Sequence, residues 1–296
     1  MPELPEIVAY LRALEPRVVG RELERVRLAS FSLLRTYDPP LEAAHGRTVT
    51  GLERLGKRIV LVLERDLYLV VHLMVAGRLH WHEAAKTIPK KYGLAAFDFP
   101  AGTLLLTEAG TKRRASLHLV AGRTALDDLD PGGIEIDEAT PEAFADALLA
   151  ERHTLKRALT DARFISGIGG AFADEILHRA GLSPMQMNVN LTAEEVSRLF
   201  DATKDVLHEW VEIRVSETGD GFPEKVTAFH PQMAVHGKYG RPCPVCGSPV
   251  QRIVYSSRET NYCPGCQTGG RILADRSLSR LLKDDWPATL DELEGA

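Results

Sequence analysis

Residues 1–7 read Met1-Pro2-Glu3-Leu4-Pro5-Glu6-Ile7. Removal of Met1 would leave a proline with a free secondary amine beside two carboxylic acids, Glu3 and Glu6. An α-amino group has an ordinary pKa of roughly 7.7–8.0, so a useful fraction is unprotonated near neutrality. A lysine needs a strongly shifted pKa to match it. An amine that attacks a carbonyl-like carbon makes a Schiff base, a standard covalent route in catalysis. The same seven residues also suit a plain N-terminal arm whose prolines limit its flexibility, and on their own they do not choose between the two.

A second signal lies near the other end. Cys243-Pro-Val-Cys246 and Cys263-Pro-Gly-Cys266 are separated by sixteen residues and hold the whole cysteine content of the chain. Two C-x-x-C knuckles at this spacing read as a zinc site. Four thiolates close a tetrahedron around one Zn²⁺, which makes the ion structural rather than catalytic. Two disulfides would need an oxidising compartment. Residues 1–15 carry charges throughout and no apolar run of secretory type, so the expected location is the cytoplasm. A pair of redox motifs in one short segment is the weaker alternative.

Length and composition set outer bounds. The 296 residues suffice for two domains and a finger. No run approaches the roughly 20 apolar residues of a membrane span, so no membrane partner is expected. The net charge is −5, whereas a generic nucleic-acid binder is expected to be basic. Any nucleic-acid surface must therefore be local. Arg54, Lys57 and Arg58, Lys90 and Lys91, Lys112 to Arg114, and Arg252, Arg258 and Arg271 are the candidate clusters; each also fits an ordinary solvated face.

Residues 6–15 predict a helix with Ile7, Leu11 and Leu14 on one side. Ile59 to Leu63, Leu67 to Val75 and Thr103 to Thr107 predict strands. Pro39-Pro40 and Lys86 to Gly93 predict loops. Asp130-Pro131-Gly132-Gly133 is a turn cluster and the expected exit from a β-rich first domain. Beyond it, Thr140 precedes Pro141 at a helix start. Phe172, Ile176, Leu177 and Ala180 share a helical face that Gly181 ends. Thr192 and Glu195 form a capping-box pattern before a long helix through Leu199, Leu207, Trp210 and Arg214. Leu278, Leu281, Leu282 and Trp286 predict a short amphipathic helix in the tail.

These segments together resemble the formamidopyrimidine-DNA glycosylase and endonuclease VIII family of base-excision repair enzymes. Pro2 to Glu6 matches its N-terminal motif. Lys57 after Gly56 resembles its N-domain lysine, and His72-Leu73-Met74-Val75-Ala76-Gly77-Arg78-Leu79 its strand-turn motif. Lys156, Asp161 and Ile165 to Gly169 resemble the start of its helix–two-turn–helix motif, and Gly237 to Cys266 with Arg258 its zinc finger. The pieces occur in the family's order over about residues 2–270.

The resemblance implies an α+β multidomain chain. An N-terminal β-sandwich domain with flanking helices would span 1–130, and a helix–two-turn–helix domain 131–235. A zinc-finger β-hairpin would span 236–270, and a tail 271–296. It implies a monomeric DNA glycosylase and AP lyase, acting on damaged DNA and holding one structural zinc on Cys243, Cys246, Cys263 and Cys266. Pro2 would be the nucleophile and Glu3 its acid–base partner. Glu6 would hold the opened sugar or orient the N-terminus, although a charge favouring the helix dipole fits it equally. Lys57 and Arg258 would neutralise phosphates, and an exposed strand-edge lysine is the alternative for the former. Lys156 and the backbone of Gly169 and Gly170 would add phosphate contacts.

Four departures from the family pattern bear on the substrate, one being that the stretch from Ser216 to Cys243 is short for a purine-type member with a long lesion-capping loop. Gly170 stands where the family usually has asparagine. The family's wedge methionine aligns with Val75, with Met74 one residue earlier; on a strand that shift reverses the face. Thr111 to Ser116 replaces an Asp-Pro-Arg-Arg-Phe-Gly segment, leaving Arg113 or a neighbour to enter the gap opposite the orphaned base. The catalytic end is preserved while the part that reads the lesion is altered, so 8-oxoguanine is a doubtful substrate. An enzyme confined to abasic sites, or a non-catalytic DNA-binding scaffold, are the alternatives.

Overall fold

Leu4, Ile7, Tyr10, Leu14 and Val18 recur along one side of the first helix and are all buried, the spacing that a helix packed on a core requires. The computed structural model describes residues 1–110, 112–224, 226–255, 258–274, 281 and 287–294. Helix α1 runs Leu4–Val18, beyond the expected 6–15 at both ends. It can begin early because Pro5 sits in the first turn, where the missing N–H breaks no helical bond.

The chain divides into two compact units. One comprises Met1–Pro131 with Glu209–Thr227, the other Gly132–His208 with Ala228–Ala296. The first is built on strands β1 Glu22–Leu23, β2 Arg25–Leu28, β3 Arg47–Leu55, β4 Arg58–Leu63, β5 Leu67–His72, β6 Gly77–His82, β7 Gly93–Phe99, β8 Gly102–Glu108 and β9 Ser116–Ala121, followed by helix α2 Arg123–Asp127. They form a five-stranded sheet in the order β1-β3-β4-β5-β9 and a four-stranded sheet in the order β2-β7-β8-β6.

Register explains the sandwich. Ile59 faces Val71 and Val71 faces Leu117; Leu61 faces Leu69 and Leu69 faces Leu119. Alternate residues of a strand point to one face, so these rows form one apolar layer. Phe97, Leu104 and Leu106 of the second sheet and Ile7, Tyr10 and Leu14 of α1 join them in a single core. Each fully buried side chain of this size contributes about 1.5–3 kcal/mol. The opposite face carries the row Arg58, His72 and Ser116.

The expected strand Leu67 to Val75 stops at His72. Residues 73–76 turn instead: Met74 has φ 52°, and the Gly77 N–H closes the turn on the Leu73 carbonyl at 2.9 Å. A Cβ at Gly77 would collide with that carbonyl oxygen. The face-reversal argument for Met74 and Val75 therefore does not apply, because neither residue is on a strand.

The second unit contains α3 Pro141–Leu149, α4 Leu155–Thr160, α5 Gly170–Ala180 and the first part of α6 Ala193–Thr218. Local chemistry sets their ends. The Thr140 hydroxyl accepts the Ala143 N–H at 3.2 Å, and Thr192 and Glu195 exchange their capping-box bonds at 3.0 and 3.2 Å. Gly181 ends α5 in the left-handed region at φ 65°. Strands β10 Gln251–Tyr255 and β11 Arg258–Tyr262 form an antiparallel hairpin, and α7 Pro264–Thr268 carries the second cysteine knuckle. Of the expected tail helix, Leu278, Leu282 and Trp286 lie outside the described residues; Leu281 is exposed.

Candidate functional site

Pro2 and Glu3 are buried immediately ahead of α1. Glu3 is the N-cap, and its N–H donates to Glu6 Oε2 at 2.8 Å. The other oxygen, Oε1, takes Arg214 Nη2 at 3.1 Å and Nε at 3.2 Å. Arg214 comes from the C-terminal end of α6, within the same unit. It also donates to the Thr227 carbonyl at 2.8 Å and to Glu217 at 3.3 Å. Burial pushes the Glu6 carboxyl up to about 7, against the opposing pull of Arg214. Both Glu6 oxygens are thus engaged, which is the geometry of a residue that orients the chain start. The sequence places Arg214 on the helical stripe of Leu207 and Trp210 but assigns it no role at the site; the available signal was a charge continuing an apolar stripe.

The Met1 amine, one residue ahead of Pro2, is pushed below its ordinary pKa. Burial is the largest cause; Glu3 and Glu6 oppose it, while Arg78 and Lys57 reinforce it. Lys57 occupies the two-residue loop between β3 and β4. Gly56 ahead of it takes φ 60°, as a tight hairpin loop demands of its first residue, and Arg54 Nη1 secures the Gly56 carbonyl at 2.9 Å. Burial lowers the Lys57 pKa and Glu3 raises it. Lys57 is therefore a partly buried turn residue within the field of Glu3, not an exposed strand-edge lysine. Arg78 donates to the carbonyls of Val226 at 2.7 Å and Gly77 at 2.6 Å. His72 is pushed down to about 4 by burial, then by Arg58, Lys57 and His118, so it is neutral at neutral pH.

The remaining first-unit candidates lie at the surface or in the turn. Val75 is 57% exposed, and Met74 beside it is half-buried. Arg113 is exposed, with Nη2 on the Lys91 carbonyl at 2.7 Å. Thr111 lies outside the described residues.

In the second unit, Gly169 caps α5 and Gly170 opens it. A Cβ at Gly170 meets nothing within 4 Å, so sterics do not demand glycine there. Lys156, expected to contact a phosphate, is engaged within the unit. Its ammonium pairs with the fully buried Asp174 at 2.7 Å and donates to the Glu259 carbonyl at 2.8 Å. Asp174 also engages His236 Nδ1 at 2.8 Å and the Asn261 N–H at 3.2 Å. The neighbouring Glu175 accepts the N–H groups of Ala234, Val235 and His236 at 2.7, 2.9 and 2.9 Å. Lys156 and Asp174 thus bracket the strand that begins at the exposed Arg258.

All four cysteines are free thiols. Cys243 and Cys266 sulfurs lie 3.9 Å apart, and those of Cys246 and Cys263 3.3 Å. Zn–S bonds of about 2.3 Å imply tetrahedral edges of roughly 3.8 Å, so the thiols fit one structural zinc. Buried His178 adds an unexpected neighbour, its Nε2 3.3 Å from Cys243 Sγ. No sequence spacing signals it, since it lies on α5, far from both knuckles.

Three family descriptions match the chain in succession. The formamidopyrimidine-DNA glycosylase N-terminal domain matches residues 1–115, the formamidopyrimidine-DNA glycosylase H2TH domain 130–220, and the zinc finger found in FPG and IleRS 240–269. The formamidopyrimidine-DNA glycosylase of Geobacillus kaustophilus is 33% identical over 90% of this chain and 100% of its own length. That of Thermus thermophilus is 34% identical over 91% and 100%. The crystal structure of the Thermus thermophilus MutM (Fpg) protein superimposes with a TM-score of 0.76 at 31% identity, covering 90% of this chain and 98% of its own. A Lactococcus lactis enzyme bound non-covalently to DNA containing an AP site shares the fold, with a TM-score of 0.78 at 22% identity over 90% and 99%.

Proposed function

The chain belongs to the formamidopyrimidine-DNA glycosylase family, and from that premise we propose that it excises damaged bases through the Pro2 amine with Glu3 as acid–base partner. It is a base-excision-repair DNA glycosylase with AP lyase activity. The observation that carries the residue assignment is the placement of Pro2 and Glu3, both buried at the head of α1, with the Glu3 N–H fixed on Glu6 Oε2 at 2.8 Å. Removal of Met1 would free the Pro2 secondary amine at this buried position, and desolvation favours the neutral, nucleophilic form of an amine.

The damaged nucleotide must leave the stack before its glycosidic carbon can be reached. The Pro2 nitrogen then bonds to C1′ as the bond from C1′ to the base breaks. Glu3 handles the proton that opens the sugar ring, leaving an iminium between Pro2 and the opened sugar. The iminium acidifies the C2′ proton; loss of that proton expels the 3′ phosphate, and a second elimination expels the 5′ phosphate. Glu6, held by Arg214, orients the turn that carries both residues.

Lys57 and Arg258 hold phosphates, as do the backbone amides of Gly169 and Gly170 at the start of α5. Such contacts position DNA without reading it. Met74 and Val75 supply the apolar wedge, and Arg113 stands beside the orphaned base. The closed four-thiolate zinc site stiffens the hairpin bearing Arg258 and takes no part in bond breaking. Oxidised or ring-opened bases are the substrate class, with an abasic-site-only lyase as the second reading; Val75 and Gly170, in place of the family's methionine and asparagine, favour it.

The test is borohydride trapping on duplexes carrying an abasic site, 8-oxoguanine, a formamidopyrimidine or an oxidised pyrimidine. The adduct is expected at Pro2 by peptide mass mapping. Pro2→Gly should trap more weakly, and Glu3→Gln should slow base release by about a hundredfold or more, as loss of a general acid–base does. Processed protein that binds the abasic duplex yet never traps would overturn the reading. Trapping on the abasic duplex alone would select the lyase-only alternative.

A further inference from the structure

Tetrahedral zinc takes four ligands, but this finger assembles five donors. The donor atoms of His178, Cys243, Cys263 and Cys266 all lie within 4.8 Å of one another. Cys246 Sγ stands 3.3 Å from Cys263 Sγ. The two surplus candidates differ sharply in setting. His178 is buried on the last turn of the eleven-residue α5, whereas Cys246 is the exposed member of the four thiols. The His178 Nε2 to Cys243 Sγ distance of 3.3 Å suits an N–H···S hydrogen bond. It is also close to the roughly 3.5 Å edge that Zn–N and Zn–S bonds of about 2.0 and 2.3 Å would set between two ligands of one ion.

We propose that His178 is the reserve ligand of this zinc site. With all four thiolates bound, its ring donates to Cys243 and steadies that ligand, as outer-shell partners do. When Cys246 leaves the coordination sphere, the ring changes tautomer, Nε2 releasing its proton to solvent as Nδ1 takes one up, and the neutral imidazole binds through Nε2 in the fourth position. The finger then stays closed on three sulfurs and one nitrogen, all from buried residues except Cys266. This rests on the zinc assignment itself, which the stoichiometry of the wild-type protein checks separately: an unmodified chain without one zinc would sink that assignment rather than the reserve role.

The experiment uses the full chain. Under limiting iodoacetamide, the exposed Cys246 is capped first, as peptide mapping verifies, and native mass spectrometry reads the zinc retained by the singly capped chain. Capped wild type should keep its zinc and capped His178→Phe should lose it. Equal retention, or equal loss, would overturn the proposal. Cobalt-loaded Cys246→Ser provides a second reading. Its visible ligand-field bands should move to shorter wavelength than those of wild type, as nitrogen replaces sulfur, and the shift should vanish in Cys246→Ser with His178→Phe. Bands indifferent to His178 would count against it. Uncapped His178→Phe should bind zinc about tenfold more weakly by chelator competition, the low end of outer-shell effects; an unchanged affinity would remove the hydrogen-bonding part.

Discussion

Glu6 is almost fully enclosed and bonded on both oxygens, and its pKa still rises to about 7. Removing a carboxylate from water costs more here than one guanidinium returns, the usual outcome for a buried ion pair. The sign of the linkage follows. A carboxyl whose folded pKa exceeds its unfolded value of about 4.5 holds more protons in the folded state between those limits. Stability contributed by this group therefore falls as pH rises from about 4.5 to about 7. Glu6→Gln keeps an acceptor for the Glu3 N–H and cannot titrate. The stability of wild type relative to Glu6→Gln should thus decline over that window by about 1–3 kcal/mol, read by urea unfolding at pH 5 and pH 7.5. A difference that is flat with pH would show that the carboxyl is not displaced upward. The same residue binds the Glu3 N–H, so the electrostatic cost lies at the chain start, where the roles of Pro2 and Glu3 are proposed.

The turn from Leu73 to Gly77 makes the corresponding point for an element. Met74 occupies the left-handed region, which costs a non-glycine residue about 1–2 kcal/mol, and Gly77 is obligatory because its Cα approaches the Leu73 carbonyl. The result presents Val75 outward at 57% exposure. A wedge fills the gap in a duplex and has no gap to fill in a single strand. Val75→Ala should therefore slow cleavage at an abasic site severalfold in duplex DNA, since the truncation forfeits only part of the few kcal/mol that unstacking a step requires. Single-strand cleavage should be unchanged; equal slowing on both would assign Val75 to catalysis or folding instead. This turn also shows where sequence reading ends. Caps such as Thr140, Thr192 and Gly181 are local chemistry and mark their helices correctly. The strand through Leu67 runs on in the sequence because Leu73, Met74 and Val75 are as apolar as what precedes them, and only the contact between Gly77 and Leu73 breaks it. Strands β7 and β8 bury nearly every residue, so alternation marks them poorly. At the site, Pro2, Glu3, Lys57 and the cysteines are visible as motifs. Arg214 meets Glu6 across 208 residues, and His178 meets Cys243 across 65; no spacing rule connects such pairs.

At the scale of the whole molecule, a net charge of −5 must coexist with binding to a polyanion, so affinity rests on few local cations rather than on the overall field. Each phosphate neutralised releases counterions and adds about 0.9 to the slope of log affinity against log salt. Lys57 in the first unit and Arg258 in the second are assigned such contacts, and Lys57→Ala and Arg258→Ala should each flatten the slope by about 0.9 on a duplex carrying an uncleavable abasic analogue. Lys156 should behave differently. Its ammonium is spent on Asp174 and the Glu259 carbonyl, and removing it leaves a fully buried carboxylate with one cation fewer, a change worth about 3–5 kcal/mol where a buried pair is broken. Lys156→Ala should therefore lower the thermal stability of the chain and weaken binding at every salt concentration while leaving the slope intact. A slope flattened by about 0.9 would mean that Lys156 abandons Asp174 for a phosphate when DNA arrives. Asp174→Asn separates the cases further: it loosens the strand that begins at Arg258 without deleting a cation, so it should reproduce the weakening of Lys156→Ala and, like it, keep the wild-type slope.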